Sequence, residues 1–316
     1  MKIIFFGSAH FAVPSLGALL KSPYEVCCVV TQPDKKKGRH LHLAATDVKS
    51  IAQKAGLNIF QPKDVNTPES LKYIAGFNPD LFVVVAYGQL LSQELLDIPK
   101  VFALNIHASL LPKYRGAAPI NWAIIRGEKT TGLTIIQLTR KMDAGPIIMQ
   151  KKIALNEADD SVTLEDKLRS LGAELLLEAL KEIKNKTYKL TAQDERKVVL
   201  APKLKKENGC IDWGKTAAEI CNQVSGCLPW PGAYTYYKDK ILKIHKAKNA
   251  QEISFQGKFS CGEISQFTVN RDGIIVATGE GSLVVEELQL EAAKRMSAKD
   301  FIHGHKIKPG DIFGKK

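Results

Sequence analysis

A chain of 316 residues, 45% hydrophobic and 25% charged, is long for one core and reads as two globular domains. No apolar run reaches the ~18 residues of a membrane-crossing helix, and Met1-Lys2-Ile3-Ile4-Phe5-Phe6-Gly7 is too short for a secretory signal, so a cytoplasmic protein is expected. Six cysteines without a C-x-x-C pair argue against a zinc knuckle or a disulfide framework and read as reduced, mostly buried thiols.

Near-continuous apolar runs at 3–6, 26–30, 81–85 and 102–106 predict buried strands. Helical spacing at 11–20, 48–55, 68–75 and 93–96 separates them. That alternation predicts a doubly wound, mostly parallel, Rossmann-like α/β sheet over residues 1–184. Lys35-Lys36-Lys37-Gly38-Arg39, following Pro33-Asp34, reads as a basic loop. A helix at 117–126 and strands at 132–138 and 147–155 follow. A long amphipathic helix then runs from 164 to about 183, with Leu164, Leu168, Leu171, Leu175 and Leu176 on one face. Residues 185–206 are polar, basic and aperiodic, and read as an interdomain linker. Beyond them, a short helix at 216–224 precedes strand candidates at 233–237, 241–246, 262–268, 273–277 and 283–290. Turns such as Asp272-Gly273 separate these, so a small antiparallel β-barrel, OB-like, is expected over 207–316.

The net charge is +12, and from Glu207 onward the balance is near even, 15 basic against 13 acidic, so the excess lies upstream. It gathers in the loop at 35–39 and in a second run containing Lys184, Lys186, Lys189, Arg196, Lys197, Lys203 and Lys205. A solvated helix face and a soluble linker explain either run alone. Two such runs in one chain favour a polyanionic partner.

The segment from Leu104 to Pro112 carries the most chemistry. Asn105 and His107 are two residues apart, so both side chains leave one face of a strand. They sit where an apolar run ends, the edge at which open α/β sheets bind ligands. An amide beside an imidazole can hydrogen-bond a carbonyl oxygen and hold the charge it gains on attack. A turn-capping Asn beside a satisfied core His has the same pattern. Leu110-Leu111-Pro112 forces an extended, turning backbone, either an apolar clamp for a flat aromatic ligand or a buried loop. Asp143, ahead of Ala144-Gly145-Pro146, is a turn residue by default. Its functional alternative is a carboxylate that reaches His107, fixes its tautomer and stabilises its charged form.

The order Asn105-x-His107-x-Ser109-Leu110-Leu111-Pro112, followed by Asp143-x-Gly145, resembles the folate-dependent formyltransferase family. The resemblance implies Asn105, His107 and Asp143 as catalytic residues, with Ser109, Leu110, Leu111 and Pro112 lining the folate pocket. The run from Val85 to Leu91 is similar to the loop that holds the pterin ring there, which brings in Tyr87, Gln89, Leu90 and Leu91. Further stretches are similar to the members that formylate methionyl-tRNA. They are Phe6-Gly7-Ser8 with Phe11 to Leu16, Thr31-Gln32-Pro33-Asp34, Arg115 to Ile120, Ile211-Asp212-Trp213 and Pro229 to Ala233. The resemblance thus covers nearly the whole chain. It implies 10-formyltetrahydrofolate as co-substrate, no metal, and the free α-amine of initiator methionyl-tRNA as acceptor. Arg39 keeps the position of the arginine that the family uses against tRNA, and with Lys35, Lys36 and Lys37 it is expected to meet the acceptor end; a monomer is expected. Gly7-Ser8-Ala9-His10 and His40-Leu41-His42-Leu43 depart from the family's commoner Thr-Pro-acid and lysine patterns.

Three rival readings fit less of the chain. A formyltransferase for glycinamide ribonucleotide or an amino sugar leaves the barrel and the second basic run unexplained. A dinucleotide oxidoreductase needs a G-x-G-x-x-G that Gly7 does not begin. An idle RNA-binding protein has no use for Asn105, His107 and Asp143 together.

Overall fold

The computed structural model describes residues 1–37, 42–250 and 259–314. The chain forms two compact units, one of residues 1–119, 130–154 and 165–202, the other of residues 120–129, 155–164 and 203–316.

The first unit begins with β1 (Lys2–Gly7), α1 (Val13–Leu20), β2 (Glu25–Val30), β3 (Lys35–Lys37), β4 (His42–Ala44), α2 (Asp47–Lys54) and β5 (Ile59–Phe60). It continues through α3 (Pro68–Ala75), β6 (Leu81–Val85), α4 (Gln93–Leu96) and β7 (Phe102–His107). After α5 (Pro119–Ile125), most of which belongs to the second unit, come β8 (Thr130–Gln137), β9 (Ile147–Ala154) and α6 (Ser161–Asn185). Seven strands form one sheet in the order β5-β2-β1-β6-β7-β8-β9. Neighbours from β5 to β7 run parallel, while the β7–β8 and β8–β9 pairs are antiparallel. The expected mostly parallel sheet is therefore present. Ile3, Ile4, Phe5 and Phe6 are fully buried, as are Leu81, Phe82 and Val83, because helices cover both faces of a parallel sheet. That burial is why these strands read as unbroken apolar runs.

Thr46, Thr67 and Ser92 cap the starts of α2, α3 and α4 by accepting from backbone N–H groups three residues on. α6 lies over one face of β7 and β8, where a Cβ on Gly172 would meet Leu133 at 3.5 Å and Ile106 at 3.6 Å. Ile106 thus points toward α6, and its neighbours Asn105 and His107 point to the opposite face.

Two stretches differ from the sequence reading. Lys35–Lys37, expected as loop, pairs antiparallel with His42–Ala44. Lysine is a poor strand former, so only the cross-strand register reveals this ladder. Residues 185–206 are divided at Pro202, and the part before it is fastened within the first unit. Arg115 N donates to Val199 O at 2.9 Å, and Ala201 N donates to Arg115 O at 2.8 Å. Ile147 and Thr191 exchange backbone hydrogen bonds of 2.7 and 2.9 Å. An exposed, polar edge pairing of this kind leaves no apolar period to read; Leu200 is 65% exposed.

The second unit carries α7 (Ala217–Gly226), β10 (Ala233–Tyr237), β11 (Lys240–Asn249), β12 (Ile264–Phe267), β13 (Ile274–Ala277), β14 (Ser282–Leu290), β15 (Met296–Ser297) and α8 (Ala298–His305). Its strands form an antiparallel sheet in the order β10-β11-β14-β13-β12, with β15 added on β14. Trp213, Ile220, Val224, Leu242, Ile244, Val285, Leu288, Phe301 and Phe313 share its core. α8 was not expected, since Phe301 and Ile302 are its only large apolar residues; Ser297 caps it. Residues 120–129 and 155–164 join this unit through side-chain ties to the backbone. Asn121 Nδ2 donates to Gly226 O at 2.8 Å, and Ser161 Oγ donates to Leu228 O. Among the described residues no helix is long and apolar enough to cross a membrane. Cys28 and Cys227 are buried, whereas Cys210 and Cys261 are exposed, fewer buried thiols than the sequence suggests.

Candidate active site

β7 supplies the first two groups. Its register sets Asn105 between Val84 of β6 and Ile136 of β8, and His107 opposite Thr134. Asn105 is half-buried, and its amide makes no hydrogen bond among the described residues. His107 is 6% exposed. Its Nε2 lies 2.8 Å from Tyr114 O, and a carbonyl only accepts, so Nε2 carries the proton. Nδ1 faces Asp143 Oδ1 at 3.6 Å. That gap is too long for a good hydrogen bond and short enough for an ion pair once Nδ1 gains a proton.

The chain after His107 is folded by its own polar groups. Ser109 Oγ donates to Lys113 O at 2.6 Å. Thr134 Oγ1 donates to Ser109 O at 2.6 Å and accepts from Leu111 N at 3.0 Å and Gln150 Nε2 at 2.9 Å. Every hydrogen-bonding valence of that hydroxyl is used. This loop delivers the Tyr114 carbonyl to the His107 ring.

Asp143 comes from the loop between β8 and β9. It has φ 51 and a side chain only 13% exposed. Its Oδ2 accepts from Gly116 N at 2.8 Å, which leaves Oδ1 toward His107. Gly116 has φ +126, and a Cβ there would stand 2.5 Å from Ala201 O, so no side chain fits. Beside it, Arg115 is 5% exposed and donates to Gln193 Oε1 at 3.0 and 2.8 Å and to Glu195 Oε1 at 2.8 Å. Lys141 lies 2.9 Å from the other oxygen of Glu195. Arg115, then Lys141, hold the Glu195 carboxyl down to about 2.

The residues expected around folate divide into two groups. Leu90 is 65% exposed, while Leu110, Pro112 and Leu91 are half-buried, so these offer apolar surface. Ser109, Leu111 and Tyr87 are buried. The Tyr87 ring packs edge-on against Phe6 in the core, and burial pushes its phenol up. Gln89 is committed as well, its Oε1 accepting from Val65 N at 3.0 Å and its Nε2 donating to Lys63 O at 3.1 Å. In this structure Tyr87 and Gln89 thus brace the loop from within. Ser8 ties it to β1, with Oγ donating to Tyr87 O at 3.0 Å. These loops end β1 and β6, between which the strand order reverses, the usual place for a ligand crevice. Of the basic residues expected against tRNA, Lys35 is exposed on β3. Lys36 and Lys37 are described by backbone alone, and Arg39 lies outside the described residues.

The sequence reading did not single out Tyr114, Thr134, Gln150, Gln193 or Glu195. Gly116 stood only within a family stretch, and Gln193 lay in the supposed linker. Nothing periodic marks either; an unpaired polar run after a helix was the one available hint.

Comparison with known proteins places the chain in a family. Residues 1–180 match the formyl transferase family model and residues 203–306 match the formyl transferase C-terminal domain. The methionyl-tRNA formyltransferase of Citrifermentans bemidjiense is 45% identical over 100% of this chain and 97% of its own length. That of Acetivibrio thermocellus is 44% identical over 99% of this chain and 100% of its own length. Among solved structures, the N-formyltransferase from Helicobacter canadensis in complex with folinic acid and dTDP-3-aminofucose superposes with TM-score 0.68. It is 19% identical, over 92% of this chain and 100% of that one, and so speaks to the fold alone. Matched in both halves and along its whole length, the chain belongs to the formyl transferase family, on the branch of the methionyl-tRNA formyltransferases.

Proposed function

We propose that this protein transfers the formyl group of 10-formyltetrahydrofolate to the α-amine of methionyl initiator tRNA. The observation that carries the reading is the Asn105 amide, without a partner among the described residues, on the strand face that also presents His107 with Asp143 3.6 Å from its Nδ1. The neutral amine attacks the formyl carbon, and the carbonyl electron pair moves onto oxygen. Asn105 donates to that oxyanion, a contribution of about 2.7–4 kcal/mol by analogy with other oxyanion donors. Because Tyr114 O holds Nε2–H, His107 serves better as proton acceptor at Nδ1 than as a second oxyanion donor. Asp143 stabilises the imidazolium so formed. The oxyanion pair then re-forms the carbonyl as the bond between the formyl carbon and the folate nitrogen breaks, that nitrogen takes the proton held on His107, and tetrahydrofolate leaves.

Leu90, Leu91, Leu110 and Pro112 offer apolar surface suited to a flat folate ring. Lys35, Lys36, Lys37 and Arg39 are assigned to the acceptor end of tRNA. Lys181, Lys184, Lys186 and Lys189 are exposed near the end of α6 and suit its phosphates. We read residues 207–316 as the tRNA-binding domain and the protein as a cytoplasmic monomer.

The test incubates the pure protein with 10-formyltetrahydrofolate and, in parallel, charged initiator tRNA, elongator methionyl-tRNA and glycinamide ribonucleotide. Formylation of the initiator alone is expected, with a KM for tRNA that rises steeply with salt, since counterion release is worth less at higher bulk ion concentration. Formylation of glycinamide ribonucleotide, or a salt-independent KM, refutes the assignment.

A further inference from the structure

We infer that Gln193 is a positioning residue for the Asp143 carboxylate, clamping the loop that carries it. This rests on the function proposed above, in which Asp143 stabilises protonated His107.

Asp143 has no strand or helix beneath it. Its φ of 51 lies in the left-handed region, which L residues other than glycine enter at a cost and Asp tolerates better than most. Something outside the loop must hold that peptide. Gln193 Nε2 donates to Asp143 O at 2.8 Å and to Gly145 O at 2.7 Å, fixing both sides of the turn. Its Oε1 accepts twice from the Arg115 guanidinium. The amide cannot be reversed, since a guanidinium only donates and carbonyls only accept.

Arg115 precedes Gly116, whose N–H binds Asp143 Oδ2. Gln193 therefore joins both backbone elements that touch Asp143, its own peptide and the one that grips its carboxylate. Glu195 adds a second tie, bridging Arg115 and Lys141 across the same loop. An amide is the neutral group with an acceptor at one pole and two donors at the other. A carboxylate at residue 193 would turn an oxygen against two carbonyl oxygens, and an aliphatic side chain would release both. Either change lets the Asp143 peptide rotate and carries Oδ1 away from His107 Nδ1.

The experiment compares the full-length wild type with Gln193→Leu, Gln193→Glu, Asp143→Asn and the double variant Gln193→Leu/Asp143→Asn. Single-turnover formyl transfer from 10-formyltetrahydrofolate to charged initiator tRNA is measured together with both KM values and the melting midpoint. Both Gln193 variants should lose roughly 10- to 100-fold in rate, as a misplaced catalytic group does, with each KM within about twofold of wild type. Gln193→Glu keeps the side-chain size and the guanidinium contact but sets an oxygen against two carbonyl oxygens, so its melting midpoint should fall together with the rate, while the unchanged KM values separate it from a general loss of the binding site. The double variant should be no slower than Asp143→Asn alone, since a residue that acts through Asp143 has nothing left to position. Near-wild-type rates in both Gln193 variants, or losses that multiply in the double variant, overturn the inference. A wild-type rate in Asp143→Asn overturns the underlying reading of Asp143 itself, and the inference with it.

Discussion

The end of β7 and the loop between β8 and β9 deliver their side chains in opposite ways. Asn105 and His107 are fixed by a ladder that pairs β7 on both sides, so their common face follows from a period of two. Asp143 sits in a turn whose shape is set by Gly116, Gln193 and the backbone at 201, none of them near it in the chain. A strand presents a functional pair through local periodicity, whereas a loop presents one through tertiary ties. The two should therefore respond differently to mutation.

On the strand side, function and stability should separate. Asn105→Ala removes an amide that makes no hydrogen bond among the described residues, so turnover should fall by about 10²–10³ with the melting midpoint unchanged. His107→Ala should nearly abolish turnover and also cost about 1 kcal/mol, because the Tyr114 carbonyl loses its buried donor. Steady-state kinetics beside thermal melts check both. A marked loss of stability in Asn105→Ala would show that the amide has a structural partner after all, and the contrast with the loop would fail.

On the loop side, function and stability should fall together. A Cβ on Gly145 would overlap Gln137 O, a backbone atom that cannot swing aside. Gly145→Ala must then move the turn that carries Asp143, at a cost of about 1–3 kcal/mol, the range for a forced backbone conformation. Turnover should drop in the same variant although the new methyl is chemically inert. A variant that melts lower yet keeps full turnover would mean that Asp143 is placed independently of the turn.

The same contrast explains what the sequence discloses. Apolar runs mark β1, β2, β6 and β7 because both faces of those strands are buried, and Asn105-x-His107 stands out as polar residues at the end of such a run. The catalytic assignment of Asp143 needed a family resemblance, since Asp before Gly-Pro is a turn signal whatever else it does. Gln193 and Glu195 carried no periodic signal, for their segment is polar, holds no more than a single 3-10 turn at Glu195–Lys197, and is tied down by backbone and side-chain polar bonds. Tyr87 and Gln89 show the reverse relation between motif and packing. Their motif is similar to a folate loop, while their side chains turn inward to the core and to Val65 and Lys63. A motif identifies where a loop lies in the fold; which of its side chains face a ligand depends on packing that spacing does not encode.

The smallest effect expected concerns the outer tie of the loop. Glu195 is 59% exposed, so its bridge to Arg115 and Lys141 is screened by solvent and should add little to stability. Its pH dependence is nevertheless distinctive. The carboxyl is lowered from 4.5 to about 2, first by Arg115 and then by Lys141. A group with a depressed folded value stabilises the protein above its unfolded value and loses that contribution as pH falls toward the folded one. Wild type should therefore melt slightly above Glu195→Gln at pH 7, and the difference should shrink from about pH 4.5 downward and vanish near pH 2. Thermal melts of the two proteins at pH 7, 4 and 3 read this directly. A gap that holds constant across that window would assign the Glu195 contribution to packing rather than to its charge.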